Sequence, residues 1–177
     1  MPYSDPLPGW EEAYQTWIER QRPLLEAANW KDGFVGYPHV QPAEVPFVPF
    51  LKPLNQTRLA VVSTAGLYLT HQQAPFTAAD VEGDVGLREL PADVKAANLS
   101  IAHTHYPHAA AEADWNAVLP LDHLRAMVTA GELGSLGPIF SISGYCTNAA
   151  ALCRTSAEVI AAAARSDGCD AMLLVPV

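Results

Sequence analysis

A chain of 177 residues, half of them hydrophobic and only 16% charged, is long enough to bury a core and too apolar for global disorder. Its formal charge of −9 repels phosphate backbones, so nucleic acid is not an expected partner, and no apolar run is long enough to span a bilayer. The opening residues carry early acids and no apolar signal region, and three cysteines are an odd number, so the expectation is a cytoplasmic chain with reduced thiols.

Residues 1–57 read as an N-terminal helix and proline-rich arm, and residues 58–177 as an α/β domain. Trp10 to Gln21 predicts an amphipathic helix, with Trp10, Tyr14, Trp17 and Ile18 at i, i+4, i+7 and i+8 on one aromatic face. Pro23 either kinks that helix or separates it from a short second one, Leu24 to Trp30. Tyr37 to Pro53 holds too many prolines for a helix, because each residue before a proline is driven to extended geometry. With Phe47, Phe50 and Leu51 it reads as an ordered arm wrapping the domain, or alternatively as a partner-binding arm or a flexible linker.

From Arg58 the pattern becomes regular. Leu59 to Ser63 predicts a buried strand, followed by a turn at Thr64-Ala65-Gly66 and a loop-rich region containing Pro75, Phe76, Gly83, Asp84 and Arg88. Leu99 to His105 predicts a second strand, and Leu121 to Ala130 a helix that Gly131 stops. Ile139 to Gly144 predicts a third strand, Ser156 to Arg165 an alanine-rich helix capped by Thr155 or Ser156, and Met172 to Val177 a fourth strand. Near-continuously apolar strands alternating with helices predict an α/β fold, a parallel-sheet, three-layer domain of the flavodoxin-like, doubly wound kind. An open sheet edge in such a domain invites pairing, so a homo-oligomer is expected.

Ligands in such sheets bind at the carboxyl ends of the strands. Here those ends are Ser63 to Gly66, His103 to Tyr106, Ser143 to Cys146, and Pro176-Val177, so the chemically capable residues converge on one edge. Cys146 precedes a helix N-terminus, which would lower its pKa and make it a nucleophile or redox thiol, with His103 or His105 as acid–base partner. Cys153 is placed to resolve an oxidised Cys146, and Cys169 reads as packing. His103 and His105, at i and i+2 of the predicted strand, share a face, and with His108, Asp114 or Cys146 nearby they are also candidate ligands of a divalent transition metal. Buried, hydrogen-bonded histidines are the structural alternative.

Ser63, Thr64 and Gly66 offer hydroxyls and backbone N–H groups for a carboxylate or phosphate, or simply a tight turn. The turn lacks the glycine spacing of a dinucleotide loop and the lysine of a P-loop, so no nucleotide cofactor is expected. Arg88 is a candidate clamp for a substrate carboxylate, and Asp114, Asn116 and Tyr106 are further candidates for binding a small-molecule substrate.

Ser63-Thr-Ala-Gly66, Pro75-Phe76, Gly83-Asp84 with Arg88, His103-Thr-His-Tyr106, Asp114-x-Asn116, Pro120-Leu-Asp122, Gly131-Glu-Leu-Gly134 and Leu173-Leu-Val-Pro-Val177 occur in that order. Together they resemble the selenoprotein B family, which includes subunits of glycine, sarcosine and betaine reductases and the selenocysteine subunit of D-proline reductase. The resemblance covers roughly residues 44–177. It implies a selenol or thiol that attacks a substrate carbon and cleaves a C–N bond reductively, beside a partner subunit. In the family the chalcogen follows a Ser-x-x-Gly strand, represented here by Ser141-Ile-Ser-Gly144 before Cys146. No selenocysteine is present, and relatives usually continue beyond the equivalent of Val177 with a cysteine-bearing turn, a helix and a strand. The sheet is therefore expected to be completed by a second subunit, or that part to be dispensable to a different chemistry. Two alternatives stand beside the thiol enzyme: a His103/His105 metalloenzyme of hydrolytic, lyase or oxygen-dependent chemistry, and a non-catalytic partner subunit.

Overall fold

The computed structural model of the chain describes residue 7, residues 9–40 and residues 47–177. Prolines 2, 6, 8, 42 and 46 of the predicted arm lie outside these residues.

The aromatic face of the first helix is buried as its periodicity requires. In α1 (Trp10–Glu26) the side chains of Trp10, Tyr14, Trp17, Ile18 and Leu25 are all buried, against Leu7 and Ala150. Pro23 does not break the helix, which continues to Glu26. The short second helix is α2 (Trp30–Gly33), capped by Asn29 and starting where the sequence predicted its end. Phe47, Phe50 and Leu51, predicted to wrap the domain, are instead exposed, Leu51 by 89%. Lys52 ties the segment to the domain through an ion pair to Asp170 of 2.6 Å, while these apolar side chains stay in solvent.

Four strands form the main sheet in the order β3-β5-β1-β6, namely β3 (Leu87–Leu90), β5 (Ser135–Ile142), β1 (Arg58–Ser63) and β6 (Ala171–Val175). The central strand β1 runs parallel to both β5 and β6. Alternation along β1 supplies both faces. Val61 and Ile139 join Leu121 and Leu124 of α4 (Leu121–Thr129), while Val62 and Phe140 meet Ile160 of α6 (Glu158–Ser166) on the other side. Each such fully buried aliphatic or aromatic side chain stabilises the fold by about 1.5–3 kcal/mol. The result is the predicted α/β, three-layer arrangement.

Two strand expectations are corrected. Edge strand β3, read from sequence as loop, pairs antiparallel with β5, so the sheet is mixed. The strand at Leu99 is not part of this sheet: β4 (Leu99–Ile101) pairs antiparallel with β2 (Leu67–Leu69) in a separate ribbon, and ends before His103.

Between α3 (Ala109–Ala113) and β5, helix α4 ends at Thr129, and Gly131 just beyond it has a φ of +73° that lets the N–H groups of Glu132 and Leu133 reach the Met127 carbonyl. The last helical segment begins earlier than predicted, with Asn148 capping α5 (Ala149–Leu152). A π-turn over Cys153–Ala157 joins α5 to α6. Thr155 and Ser156, the expected caps, lie inside that turn, where Thr155 Oγ1 donates to the Ala151 carbonyl at 2.7 Å and Ser156 Oγ to the Val85 carbonyl. Among the described residues no helix is long and apolar enough to cross a membrane.

Candidate functional site

The carboxyl end of β1 lies where the chain switches from one side of the sheet to the other, the usual place for a ligand crevice. Here protein groups occupy it. The N–H groups of Thr64, Ala65, Gly66 and Leu67 donate to the Val175 carbonyl, Ser63 Oγ, the Ile142 carbonyl and Ser141 Oγ at 2.7–3.2 Å. Ser63, fully buried, donates its own hydroxyl to the Val118 carbonyl at 2.7 Å, and Thr64 Oγ1 accepts from the Val177 N–H at 2.9 Å. The expected anion cradle is therefore a closed structural junction. Gly66 is required there, since its φ is +67° and a Cβ would lie 2.7 Å from the Ala102 carbonyl oxygen.

Arg88 is also engaged within the protein. Its Nε donates to the Ala74 carbonyl at 2.8 Å, its two terminal nitrogens to the Leu87 and Pro75 carbonyls, and the guanidinium lies 4.2 Å from the centre of the Phe76 ring. This pins the 74–76 loop and commits three of the guanidinium's five N–H donors to backbone carbonyls. Arg88→Ala is expected to cost about 2 kcal/mol of stability, read from urea unfolding; an unchanged midpoint with weakened substrate binding would restore the clamp. Asp114 and Asn116 form a capping network. Asp114 Oδ1 accepts from the Asn116 N–H at 2.9 Å, which holds the Asp114 carboxyl below its usual range, and Asn116 Oδ1 accepts from the Asp122 N–H at the start of α4.

The histidines gather around the end of β5 without a strand to hold them. His103 is buried, and its Nδ1 accepts the His105 N–H at 3.0 Å. Its Nε2 side faces Gly144, where an added Cβ would lie 2.8 Å away. His108 Nε2 donates to the His103 carbonyl at 2.7 Å, and the Tyr106 hydroxyl donates to the Ala65 carbonyl. Burial, then the neighbouring His105 and His108, bring His103 down to about 4; burial also lowers His105. The His105 ring stacks on Tyr145, 3.9 Å between centroids, with Trp30 edge-on to both. The structure thus joins the histidine loop to the residue preceding Cys146, by a loop contact and not by the strand alternation the sequence suggested. Among the described residues no group of three or more His, Cys, Asp or Glu side chains could hold a metal ion, so His103 and His105 find no third ligand there.

Cys146 lies just beyond β5, bridged to Gly83, with its Sγ donating to the Asn148 carbonyl at 3.4 Å. The helix that follows does not acidify it. Burial, together with the carboxylates of Asp84, Glu82 and Asp80, pushes the thiol up to about 11, the opposite of what proximity to a helix N-terminus suggested. Three tyrosines missed in the sequence surround this loop. The Tyr14 hydroxyl lies 2.9 Å from Thr147 Oγ1 and donates to Glu82 at 3.1 Å, Tyr37 donates to the Thr147 carbonyl at 2.8 Å, and Tyr145 to the Val81 carbonyl at 3.0 Å. Burial raises all three hydroxyls, Tyr145 to about 12. Only Tyr14 carried a sequence signal, its place on the aromatic face of α1. Cys153 packs against the α1 cluster, Cys169 lies beside Asp167, and all three cysteines are free thiols.

Comparison with known proteins places this arrangement in a family. The model of the glycine/sarcosine/betaine reductase selenoprotein B family matches residues 29–177, most of the chain. D-proline reductase subunit gamma of Acetoanaerobium sticklandii is 24% identical over 129 residues, covering 72% of this chain and 52% of the relative. The chain therefore spans about half the length of that curated relative. No solved structure matches significantly. The chain belongs to the glycine/sarcosine/betaine reductase selenoprotein B family.

Proposed function

We propose that this member of the selenoprotein B family is a reductase component acting through the Cys146 thiol, on a small amino-acid-like substrate whose C–N bond it cleaves. The observation that carries the reading is the setting of Cys146. The cysteine follows the family's Ser-x-x-Gly strand, at the sheet's carboxyl edge, among the three carboxylates of Asp80, Glu82 and Asp84.

With its pKa near 11, roughly one thiol in 10,000 is ionised at pH 7, and the two neighbouring imidazoles are neutral. The same carboxylates that suppress the thiolate favour a cation. A substrate ammonium arriving beside them offsets their field and lowers the thiol's pKa, and His105 takes the proton, since a His103 ring held near 4 is too weak a base for it. The thiolate then forms a C–S bond as the C–N bond breaks, the electron pair leaving with the amine nitrogen. A second thiol attacks Cys146 Sγ, giving a disulfide as the carbon takes up a proton. Thr64 and Tyr106, at the same edge, remain candidate substrate contacts.

The relative is named as a subunit, which favours work beside a partner. Edge strand β6, with Leu174 64% exposed, and the exposed Phe47 to Leu51 segment offer surfaces for that partner or for a second copy. A cytoplasmic setting with reduced thiols fits this chemistry.

The test is turnover of D-proline, glycine, sarcosine and betaine with a dithiol reductant, in host extract lacking the native chain and supplemented with the purified one. Cys146→Ser is expected to lower product formation by roughly a thousandfold or more. Retained turnover in that variant overturns the reading. If turnover instead depends on added metal and is lost in His103→Ala/His105→Ala, the metalloenzyme takes its place.

A further inference from the structure

The family match begins at residue 29, yet α1, which lies wholly before it, makes a buried side-chain contact to the Cys146 loop. Tyr14 and Thr147 are 3% and 2% exposed, and their hydroxyls meet at 2.9 Å. Since the Tyr14 hydroxyl donates to Glu82 at 3.1 Å, it is the Thr147 hydroxyl that donates to Tyr14. Glu82 is held in turn by an ion pair with Arg22, eight residues further along α1, and its carbonyl accepts the Thr147 N–H at 2.9 Å. Tyr37 closes the other side of Thr147 through its carbonyl. Thr147, bonded from three directions, is the residue that follows the proposed nucleophile.

We infer that α1 is a cap over Cys146, and that Tyr14 is the positioning residue that fixes the thiol's loop by holding Thr147. α1 brings no acid, base or nucleophile to the reacting atoms. The sulfur is only partly buried, as is that of Cys169, and α1 limits how far its loop opens to a reagent, because opening leaves the buried Tyr14 and Thr147 hydroxyls without partners. Helix α1, which lies outside the residues that the family model matches, thus controls access to the thiol. This rests on Cys146 being the reacting thiol for its biological meaning, but its test does not.

Thiol labelling of the full chain reads the cap directly. Iodoacetamide labelling is followed peptide by peptide, with Cys169 at the far end of the sheet as reference in the same sample. Tyr14→Phe keeps the ring that stacks on Trp10 and removes the hydroxyl; Thr147→Val removes its partner. Each is expected to raise the ratio of Cys146 to Cys169 labelling about tenfold. The double variant should raise it by clearly less than the product of the singles, because the Tyr14–Thr147 hydrogen bond is lost in all three proteins, beside the Tyr14–Glu82 bond wherever Tyr14→Phe is present. If Tyr14→Phe loses its near-ultraviolet circular dichroism, Thr147→Val carries the test alone. Unchanged ratios, or a double effect equal to the product of the singles, overturn the cap. Raised labelling beside full turnover in Cys146→Ser would leave the cap standing and remove the proposed reaction; unchanged labelling beside lost turnover would do the reverse.

Discussion

Gly83→Ala is expected to lower the melting temperature by about 10 °C and to release the Cys146 loop. Gly83 has a φ of +83°, and a Cβ there would lie 2.2 Å from the Tyr145 carbonyl oxygen and 2.6 Å from Cys146 Cα. Both are backbone atoms in the peptide that carries the candidate nucleophile, so no side-chain rotation relieves the overlap. Left-handed backbone alone costs an alanine roughly 1–3 kcal/mol. The overlap adds to it, because relief requires breaking the Gly83–Cys146 bridge and the hydrogen bond from the Thr147 N–H to the Glu82 carbonyl. A total of about 3–4 kcal/mol corresponds, at about 2–4 °C per kcal/mol for a chain of this size, to that shift. Gly131→Ala is the matched control, with a φ of +73° and nothing within 4 Å of the added carbon. It should lose only the conformational part, about 1 kcal/mol. Equal losses in thermal denaturation of the two variants would show that backbone conformation, and not the contact with Cys146, decides the matter.

This dependence of Cys146 on a residue 63 positions away also marks where the sequence stopped being legible. Local pattern sufficed for α1, because four aromatic and aliphatic residues at helical spacing have no other economical burial. It sufficed for β1, β5 and β6, whose apolar runs suit a strand covered on both faces. It failed for β2 and β3, three and four residues long, and for the length and sheet of β4, which depend on distant partners such as Leu67 opposite Ile101. The misassigned β4 carried an error into the site, since strand alternation was the reason for placing His103 and His105 on one face. The two rings do lie near one another, 5.8 Å between centroids, but through a loop braced by Tyr145. The thiol's electrostatics were hidden for the same reason. A helix N-terminus is visible beside Cys146 in the sequence, whereas Asp80, Glu82 and Asp84 reach it only through the fold.

His103 gives the sharpest pH dependence. The ring is 6% exposed, its Nδ1 accepts the His105 N–H, and burial first, then the two nearby histidines, depress its pKa from 6.5 to about 4. Above pH 6.5 the imidazole is neutral in the folded and unfolded chain alike, so it adds nothing to pH dependence. Between 6.5 and 4 the unfolded chain takes up a proton that the folded one refuses, and stability falls as the pH falls. Below about 4 both states are protonated and this loss stops growing. The full window amounts to on the order of 3 kcal/mol. His103→Asn removes the titration while its Oδ1 can still accept the His105 N–H. Urea unfolding of both proteins at pH 7 and near pH 4 isolates the histidine, because the carboxylates that titrate in the same range are common to both and cancel in the difference. The native chain should lose about 2–3 kcal/mol more than the variant across that interval. Parallel losses would mean that the buried ring takes up its proton without opening the loop. That loop, through His105 and Tyr145, would then be looser than its stacking implies, and His103 would be partly protonated near pH 6.5 instead of neutral over the whole physiological range.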